Sequence, residues 1–377
     1  MTLASGSSND ALKRGSSSIM LTRRRHDGLK CVDVFCGAGA LTRGLEEEGV
    51  EVVAGIDFDP VCRYPYEANN DGRFVLADVS RLSGDAVANM LGGDEPKVLA
   101  GCPPCQPFST YSQRYEVRKM REYGLLSEFA RIVGEVRPDV VAMENVPSIT
   151  RHEVFEEFVE ALEGWGYHVW YGVVDASKYG TPQRRRRLVL LASIHGPIEL
   201  IPPTHETPRT VREAIGDLPP LAAGEADPDD PLHVAASLSP KNLARIRASL
   251  PGGTWRDWPE ELVAACHMNG TGRSYGAVYG RMEWDAPAPT ITTQAYNYGS
   301  GRFGHPEQDR AISLREAALL QGFPRDYSFV PPGEKVTFKN VGRLVGNAVP
   351  VDLARAIGRS IVAHLEAVLG VRGGAAT

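Results

Sequence analysis

Cysteine is scarce and irregularly spaced in this chain of 377 residues. Its six cysteines do not show the regular spacing of a disulfide framework, so we expect reduced thiols and a cytoplasmic location. Long apolar runs are also missing: no segment approaches the roughly 20 residues of a membrane-spanning helix. The first 28 residues lack the apolar core of a secretory signal. The sequence therefore predicts a protein with no membrane partner.

The chain also lacks an excess of positive charge. It has 41 Lys and Arg against 47 Asp and Glu, a net charge of -6, which excludes a uniformly basic, histone-like binder of nucleic acid. A polyanionic partner would therefore need a local basic patch. Residues 1–30 carry six basic and two acidic side chains, a net charge of +4. We expect residues 1–28 to be a disordered basic tail, or residues left over from cloning.

Short apolar runs alternate with helical patterns from residue 30 onward, and these runs read KCVDVF, EVVAGID, RFVLAD, KVLAG and DVVAMEN. This alternation predicts an α/β fold with a mostly parallel sheet covered by helices. Two further runs, at 167–174 and 187–193, flank a turn-forming segment and predict an antiparallel hairpin that completes the sheet.

The pattern changes after residue 196, where Pro, Gly and isolated aromatic residues replace regular periodicity. This texture is typical of an irregular, separate domain. Helical patterns return at 313–322 and from Val351 to Leu369. We therefore predict one domain over the alternating region and a second, irregular domain after residue 196.

A glycine-rich turn follows the first apolar run. Gly37 and Gly39 let the backbone approach a ligand where a helix begins. A dinucleotide fingerprint would have a third glycine where Thr42 stands, which favours a cofactor with an adenosine and no diphosphate. Asp57 and Asp78 end the next two apolar runs and could bind ribose hydroxyls and an adenine amino group. The alternative is that all of these are ordinary turn residues.

The segment GCPPCQPFS places a cysteine after the fourth apolar run. Two prolines stiffen the backbone before Cys105, which favours a thiol presented at the ligand crevice. The pair Cys102 and Cys105 could instead be redox-active or half of a zinc site, and a buried structural thiol is another alternative. No histidine lies within thirty residues of Cys105. A nucleophile that attacks an electron-poor ring would therefore need a nearby acid.

Glu144 is the candidate acid. It stands near the end of the run DVVAMEN, and a carboxyl at the dry end of a strand has a raised pKa, as a general acid needs. A capping or salt-bridged glutamate is the alternative. In the segment QRRRR, strand alternation places Arg185 and Arg187 on one face and Arg184 and Arg186 on the other. One face could meet a substrate carbonyl and the other phosphate, or the whole run could be solvated.

These motifs form an ordered set along the chain: DVFCGAG, Asp57, Asp78, PPCQPFS, ENVP, QRRRR, SLREAALLQGFP and GNAVP. In this order the set resembles the bacterial DNA (cytosine-5) methyltransferases, over about 33–350. The resemblance implies a Rossmann-like sheet of the S-adenosylmethionine-dependent methyltransferases, in a catalytic and cofactor-binding domain at 29–196. It also implies a smaller target recognition domain at 197–338 and a C-terminal segment at 339–377 that returns to the catalytic domain. One departure is Ala40, where the family often has glycine.

The resemblance also implies roles for individual residues. Cys105 would be the nucleophile, Glu144 the acid at ring nitrogen 3, and Arg185 and Arg187 a clamp on the cytosine and its surroundings. S-adenosylmethionine would be the cofactor, and its binding residues would be Phe35, Gly37, Gly39, Asp57, Asp78, Pro104 and Asn347. No metal is expected.

The reaction implied is methylation of carbon 5 of a cytosine flipped out of a specific duplex DNA sequence, through a covalent adduct with Cys105. Double-stranded DNA is then the substrate, held in a positive cleft between the two domains. A cognate restriction endonuclease that shares the recognition site is an expected partner, and a monomer suffices because one base reacts at a time. The alternatives are a tRNA cytosine-5 methyltransferase, a catalytically silent DNA-binding regulator and a nicotinamide-dependent oxidoreductase.

Overall fold

The computed structural model describes residues 28–104, 116–268 and 275–370; Cys105 and residues 1–27 of the predicted tail lie outside these ranges. Seven strands form one sheet in the order β3-β2-β1-β4-β5-β7-β6. The strands are β1 (Lys30–Val34), β2 (Glu51–Asp57), β3 (Arg73–Leu76), β4 (Lys97–Gly101), β5 (Val140–Asn145), β6 (His168–Asp175) and β7 (Arg186–Ser193).

The sheet is mixed, as predicted. Strands β1 to β5 pair in parallel, whereas β7 runs antiparallel to both β5 and β6. The central strands are nearly continuous apolar runs because helices cover both of their faces. All strands except β7 end at one edge, which we call the carboxyl edge. The winding direction reverses between β1 and β4, and a crevice for ligands is expected at such a reversal.

Eleven α-helices lie within the described residues. They are α1 (Ala40–Glu47), α2 (Arg63–Asn69), α3 (Gly84–Leu91), α4 (Glu116–Val136), α5 (Glu153–Gly164), α6 (Val211–Ile215), α7 (Pro240–Ala248), α8 (Ala265–Met268), α9 (Leu314–Leu320), α10 (Phe338–Asn347) and α11 (Val351–Leu369). Short 3-10 turns lie at Pro60–Cys62, Val79–Arg81, Pro147–Arg151, Ala176–Tyr179, Trp255–Asp257, Glu260–Leu262 and Tyr298–Ser300. None of the helices in these ranges is both long and apolar enough to cross a membrane.

Two hydrophobic clusters cover the two faces of the sheet. On one face, α1 and α11 pack together on the central strands through Leu41, Leu45, Val98, Val140, Leu353 and Ile357. The two helices can approach closely because residue 44 is glycine. A Cβ atom at this position would lie only 2.4 Å from the Cβ atom of Ala354. On the other face, α3, α4 and α5 contribute Val87, Leu91, Phe129, Ile132, Phe155 and Phe158.

A third cluster joins the region after residue 196 to the sheet. It combines apolar side chains of that region with residues of the turn after β1, the start of α1, the 3-10 turn before α2, and α2 itself, namely Cys36, Ala38, Ala40, Cys62 and Tyr66. The irregular region therefore shares a hydrophobic core with the turn after β1. The division of the chain at residues 196 and 338 stays a prediction.

Candidate active site

The glycine turn between β1 and α1 opens the carboxyl edge of the sheet. Phe35, Gly37 and Gly39 all have positive φ angles, of 63°, 54° and 87°. This conformation is strained for phenylalanine and easy for glycine, so the turn keeps a shape that side chains rarely adopt. A Cβ atom on Gly39 would lie 2.3 Å from Asn70 Nδ2, whereas a Cβ atom on Gly37 would meet nothing within 4 Å. The turn is therefore packed at Gly39 and open at Gly37.

Asp57, at the end of β2, binds this turn. Its Oδ2 accepts a hydrogen bond from the Gly37 amide at 3.0 Å, and its Oδ1 accepts one from the Asp59 amide at 2.9 Å. Burial raises the pKa of Asp57, while these two amide hydrogen bonds oppose the rise. Each carboxylate oxygen keeps a second lone pair, so Asp57 can still accept hydrogen bonds from a ligand.

Asp78 and Phe58 lie near the ends of β3 and β2. The Asp78 carboxylate caps a 3-10 turn by accepting hydrogen bonds from the Ser80 amide at 3.1 Å and the Ser80 hydroxyl at 2.8 Å.

Phe58, between Asp57 and Asp59, leaves 68% of its side chain exposed. The sequence-based predictions did not include this ring. An aromatic residue between two aspartates at a strand end could nevertheless have indicated a ligand-facing side chain. Such exposure is unusual for phenylalanine.

Hydrogen bonds from two strands fix the chain that leaves β4. The Cys102 amide donates to the Val34 carbonyl at 3.2 Å, and the Asn145 side chain donates to the Pro103 carbonyl at 3.0 Å. Pro104 is half-buried. The backbone immediately before Cys105 is therefore tied to β1 and β5, although Cys105 itself belongs to the part of the chain that is not described.

Glu144 and Arg187 form a buried pair at the same edge. The Arg187 Nε atom lies 2.9 Å from Glu144 Oε1, and their side chains are only 14% and 9% exposed. Burial raises the pKa of Glu144, and the positive charges of Arg187 and Arg185 oppose that rise. The antiparallel register places Glu144 opposite Val189, so Arg187 shares its face. The structure thus brings the predicted acid and one predicted clamp residue together.

Arg185 and Asn347 meet on the side of α10. The Arg185 guanidinium is buried and donates to the carbonyls of Ile291, Gly346 and Ala348. Asn347 is exposed at the end of α10, between two of these carbonyls. The clamp role that the resemblance implies for Arg185 therefore has a competing explanation in these backbone contacts.

The other two arginines of the QRRRR segment are exposed. Arg184 and Arg186 lie at the carboxyl edge where β7 begins, and strand alternation places Arg186 on the opposite face from Arg187. They carry positive charge to the surface beside the buried pair. A polyanion that lies across this edge could contact both of them.

An adenosine-containing methyl donor fits the crevice. Open space beside Gly37 lets a ligand approach the backbone, Asp57 can accept hydrogen bonds from ribose hydroxyls, and the Phe58 ring offers an apolar face to a purine. Within the described ranges, no cluster of three or more His, Cys, Asp or Glu side chains could hold a metal ion.

Sequence comparisons agree with the geometry. The profile described as C-5 cytosine-specific DNA methylase matches residues 29–363. The chain is 53% identical over 340 residues to Type II methylase M.HgiDII of Herpetosiphon aurantiacus, covering 89% of this chain and 95% of the relative. It is 32% identical over 344 residues to Type II methyltransferase M1.HphI of Haemophilus parahaemolyticus, covering 89% and 87% of the two chains.

Solved structures share the fold. A prophage-encoded methyltransferase of E. coli superposes with a TM-score of 0.68 at 22% identity, covering 91% of this chain and 99% of that chain. The S. pombe Dnmt2 methyltransferase superposes with a TM-score of 0.58 at 18% identity, covering 90% and 98%. Since the family profile spans most of the sequence and one relative shares more than half of its aligned residues, this chain belongs to the C-5 cytosine-specific DNA methylases, which use S-adenosylmethionine as methyl donor.

Proposed function

We propose that this DNA methylase acts on a cytosine flipped out of a specific duplex sequence, with Cys105 as the nucleophile, Glu144 as the acid and Arg187 as the clamp on the base. The observation that carries the proposal is the Glu144–Arg187 pair, buried at the carboxyl edge beside the fixed exit of β4. The flipped base is needed because its carbons are inaccessible inside a duplex.

Cys105 and Glu144 would make carbon 5 of the cytosine ring nucleophilic. Carbon 5 of cytosine is a poor nucleophile because the ring is aromatic and electron-poor. The Cys105 thiolate forms a bond to carbon 6 while Glu144 gives its proton to nitrogen 3, and the ring becomes an enamine with a nucleophilic carbon 5. S-adenosylmethionine, when bound, supplies an electrophilic methyl group on a sulfonium. A base then removes the carbon 5 proton, the Cys105–carbon 6 bond breaks, and the nitrogen 3 proton returns to Glu144.

The environment of Glu144 suits an acid that must also bind the base. Burial keeps its carboxyl protonated to a higher pH than usual, which favours proton transfer to nitrogen 3. Arg187 fixes the carboxyl through its Nε atom and can turn its remaining N–H groups toward the base carbonyl. These hydrogen bonds would offset part of the few kcal/mol that flipping costs.

Trapping with 5-fluorocytosine tests the role of Cys105. Fluorine at carbon 5 cannot leave as the proton does, so the Cys105 adduct should persist in duplex DNA that contains the recognition site. We expect a covalent complex with the unaltered protein and none with Cys105→Ala. A Cys105→Ala protein that still forms the adduct would rule out this nucleophile. Adduct formation on tRNA and not on duplex DNA would rule out the DNA substrate.

Phe58→Ala is expected to raise the KM for S-adenosylmethionine about tenfold, because stacking on a base contributes roughly 1–3 kcal/mol. The kcat at saturating cofactor should change little, since the ring would contact the purine and not the reacting atoms. Tyr171→Ala, which removes a ring that is 49% exposed on β6, is the matched control. Equal KM values for the two variants would contradict the stacking role.

Arg184→Ala and Arg186→Ala are expected to weaken DNA binding in a salt-dependent way. Each lost phosphate contact should reduce the slope of log Kd against log salt concentration by about 0.9. The control is Arg73→Ala, which removes an exposed arginine at the amino end of β3, away from the carboxyl edge. Slopes that match the unaltered protein would show that these arginines contact only solvent.

The biological setting is part of the proposal. Relatives with names of the Type II class support a modification role paired with a restriction endonuclease that reads the same site. A monomer in the cytoplasm is sufficient for this role. Methylation mapping of DNA from expressing cells should reveal one sequence context, and that DNA should resist the paired endonuclease. Methylation without any sequence preference would overturn the specificity.

A further inference from the structure

We infer that Arg185 is a positioning residue for the cofactor site and acts together with Gln183 and Gln321. These three side chains are here called the polar clasp. Arg185 binds the backbone on both sides of Asn347, Gln321 binds it on one side, and Gln183 binds Gln321. The inference rests on the proposed role of Asn347 in holding S-adenosylmethionine. It replaces the clamp on cytosine that sequence resemblance implies for Arg185.

Arg185 binds the turn that carries Asn347. Its Nη2 atom donates to the carbonyls of Gly346 at 2.9 Å and Ala348 at 3.2 Å, and its Nη1 atom donates to the Ile291 carbonyl at 2.8 Å. The side chain is 2% exposed. Hydrogen bonds from a charged donor are about twice as strong as neutral ones, so these contacts restrain the turn.

The two glutamines complete the clasp, and both are fully buried. Gln321 Nε2 donates to the Ala348 carbonyl at 2.5 Å, and Gln321 Oε1 accepts from Gln183 Nε2 at 2.6 Å. Gln183 Oε1 in turn accepts from the Ile291 amide at 2.9 Å. The Ala348 carbonyl therefore has two side-chain donors, and Ile291 is bound through both its amide and its carbonyl.

The turn at residues 346–348 also packs tightly against a neighbouring backbone segment. A Cβ atom on Gly346 would lie 2.3 Å from the Thr293 amide nitrogen. The turn is therefore pressed against 292–293 while the clasp holds its carbonyls. Asn347 is left exposed between two fixed peptide groups, which orients its side chain for a ligand. A buried network of this kind specifies one arrangement because each unmade hydrogen bond is costly.

The roles of clamp and positioning residue predict different kinetics. A clamp on cytosine touches the reacting base, so its loss lowers kcat. A residue that orients Asn347 acts through the cofactor site, so its loss raises the KM and Kd for S-adenosylmethionine and changes kcat less at saturation. The direction of the Arg185 guanidinium, toward three backbone carbonyls, favours the second pattern.

Arg185→Lys and Gln321→Met test the inference in the full chain. Both keep the length of the side chain, and each removes hydrogen bonds to the turn. We expect the Kd for S-adenosylmethionine, measured by calorimetry, to rise about tenfold in each variant, the loss expected for one strong hydrogen bond. The matched control is Tyr167→Phe, which removes a buried hydrogen bond to the Pro138 carbonyl outside the clasp. Its Kd should stay unchanged even if its melting temperature falls equally.

Each outcome separates the inference from the proposed function. An unchanged Kd in Gln321→Met and a reduced kcat in Arg185→Lys would overturn the positioning role and restore the clamp. A Kd that rises equally in Tyr167→Phe would also overturn it, because general loosening would then explain the effect. An Asn347→Ala variant that binds S-adenosylmethionine as tightly as the unaltered protein would instead refute the proposed cofactor role of Asn347.

Discussion

Replacing Glu144 by glutamine is expected to lower the rate of methyl transfer by about 10²- to 10⁴-fold, the usual contribution of a positioned general acid. Glutamine has nearly the same size and keeps an oxygen for Arg187 Nε, but it has no carboxyl proton to give to nitrogen 3. Single-turnover methylation of a duplex with saturating cofactor measures the effect.

The pH profile of kcat adds a second test of Glu144. Because burial raises the pKa of Glu144, the rate of the unaltered enzyme should fall as pH rises through that raised pKa. The residual rate of Glu144→Gln should lack this fall. Glu156→Gln, an exposed change on α5, is the control. A Glu144→Gln enzyme as fast as this control would exclude the acid role.

Replacing Glu316 by glutamine is expected to lower the free energy of unfolding by about 3–5 kcal/mol, because it leaves the charge of Arg310 buried without a counterion. The two side chains are 1% and 0% exposed, and their two hydrogen bonds are each 2.7 Å long. Burial lowers the pKa of nearby His305 to about 4, so this imidazole is neutral at pH 7. Urea denaturation measures the loss.

An exposed ion pair provides the comparison for Glu316. Asp217 and Arg325 are bound at 2.5 Å with more than half of each side chain exposed. Asp217→Asn should therefore change the free energy of unfolding by less than about 1 kcal/mol. Replacing both buried partners, with Arg310→Met and Glu316→Leu, should recover much of the stability. A single Glu316→Gln change as mild as Asp217→Asn would refute the role of the buried charge.

The sheet was predictable because its signals are local. Strands β1 to β5 follow the five short apolar runs, three of which end in Asp57, Gly101 and Asn145. The predicted hairpin is β6 and β7. Strand ends also placed Asp57 and Glu144 at one edge. Alternation along the QRRRR segment predicted that Arg185 and Arg187 share a face, and strand pairing in the structure places Arg187 beside Glu144.

The parts that sequence reasoning missed depend on distant partners. Arg185 binds carbonyls that lie 106 and 161 residues further along the chain, and Gln183 binds Gln321 across 138 residues. No local period records such contacts, so the charged run could be read equally as a clamp or as a solvated face. The exposure of Phe58 depends in the same way on how neighbouring elements pack.

The pairing of α1 with α11 has a consequence for how the protein is made. Glu48, next to α1, binds Arg355 of α11, which lies 307 residues later. While a ribosome is still producing the region between them, Leu41, Leu45 and Val140 have no α11 to cover them. The nascent chain therefore has an exposed apolar sheet face until α11 emerges from the ribosome. This stage of synthesis is the one at which aggregation is most favoured.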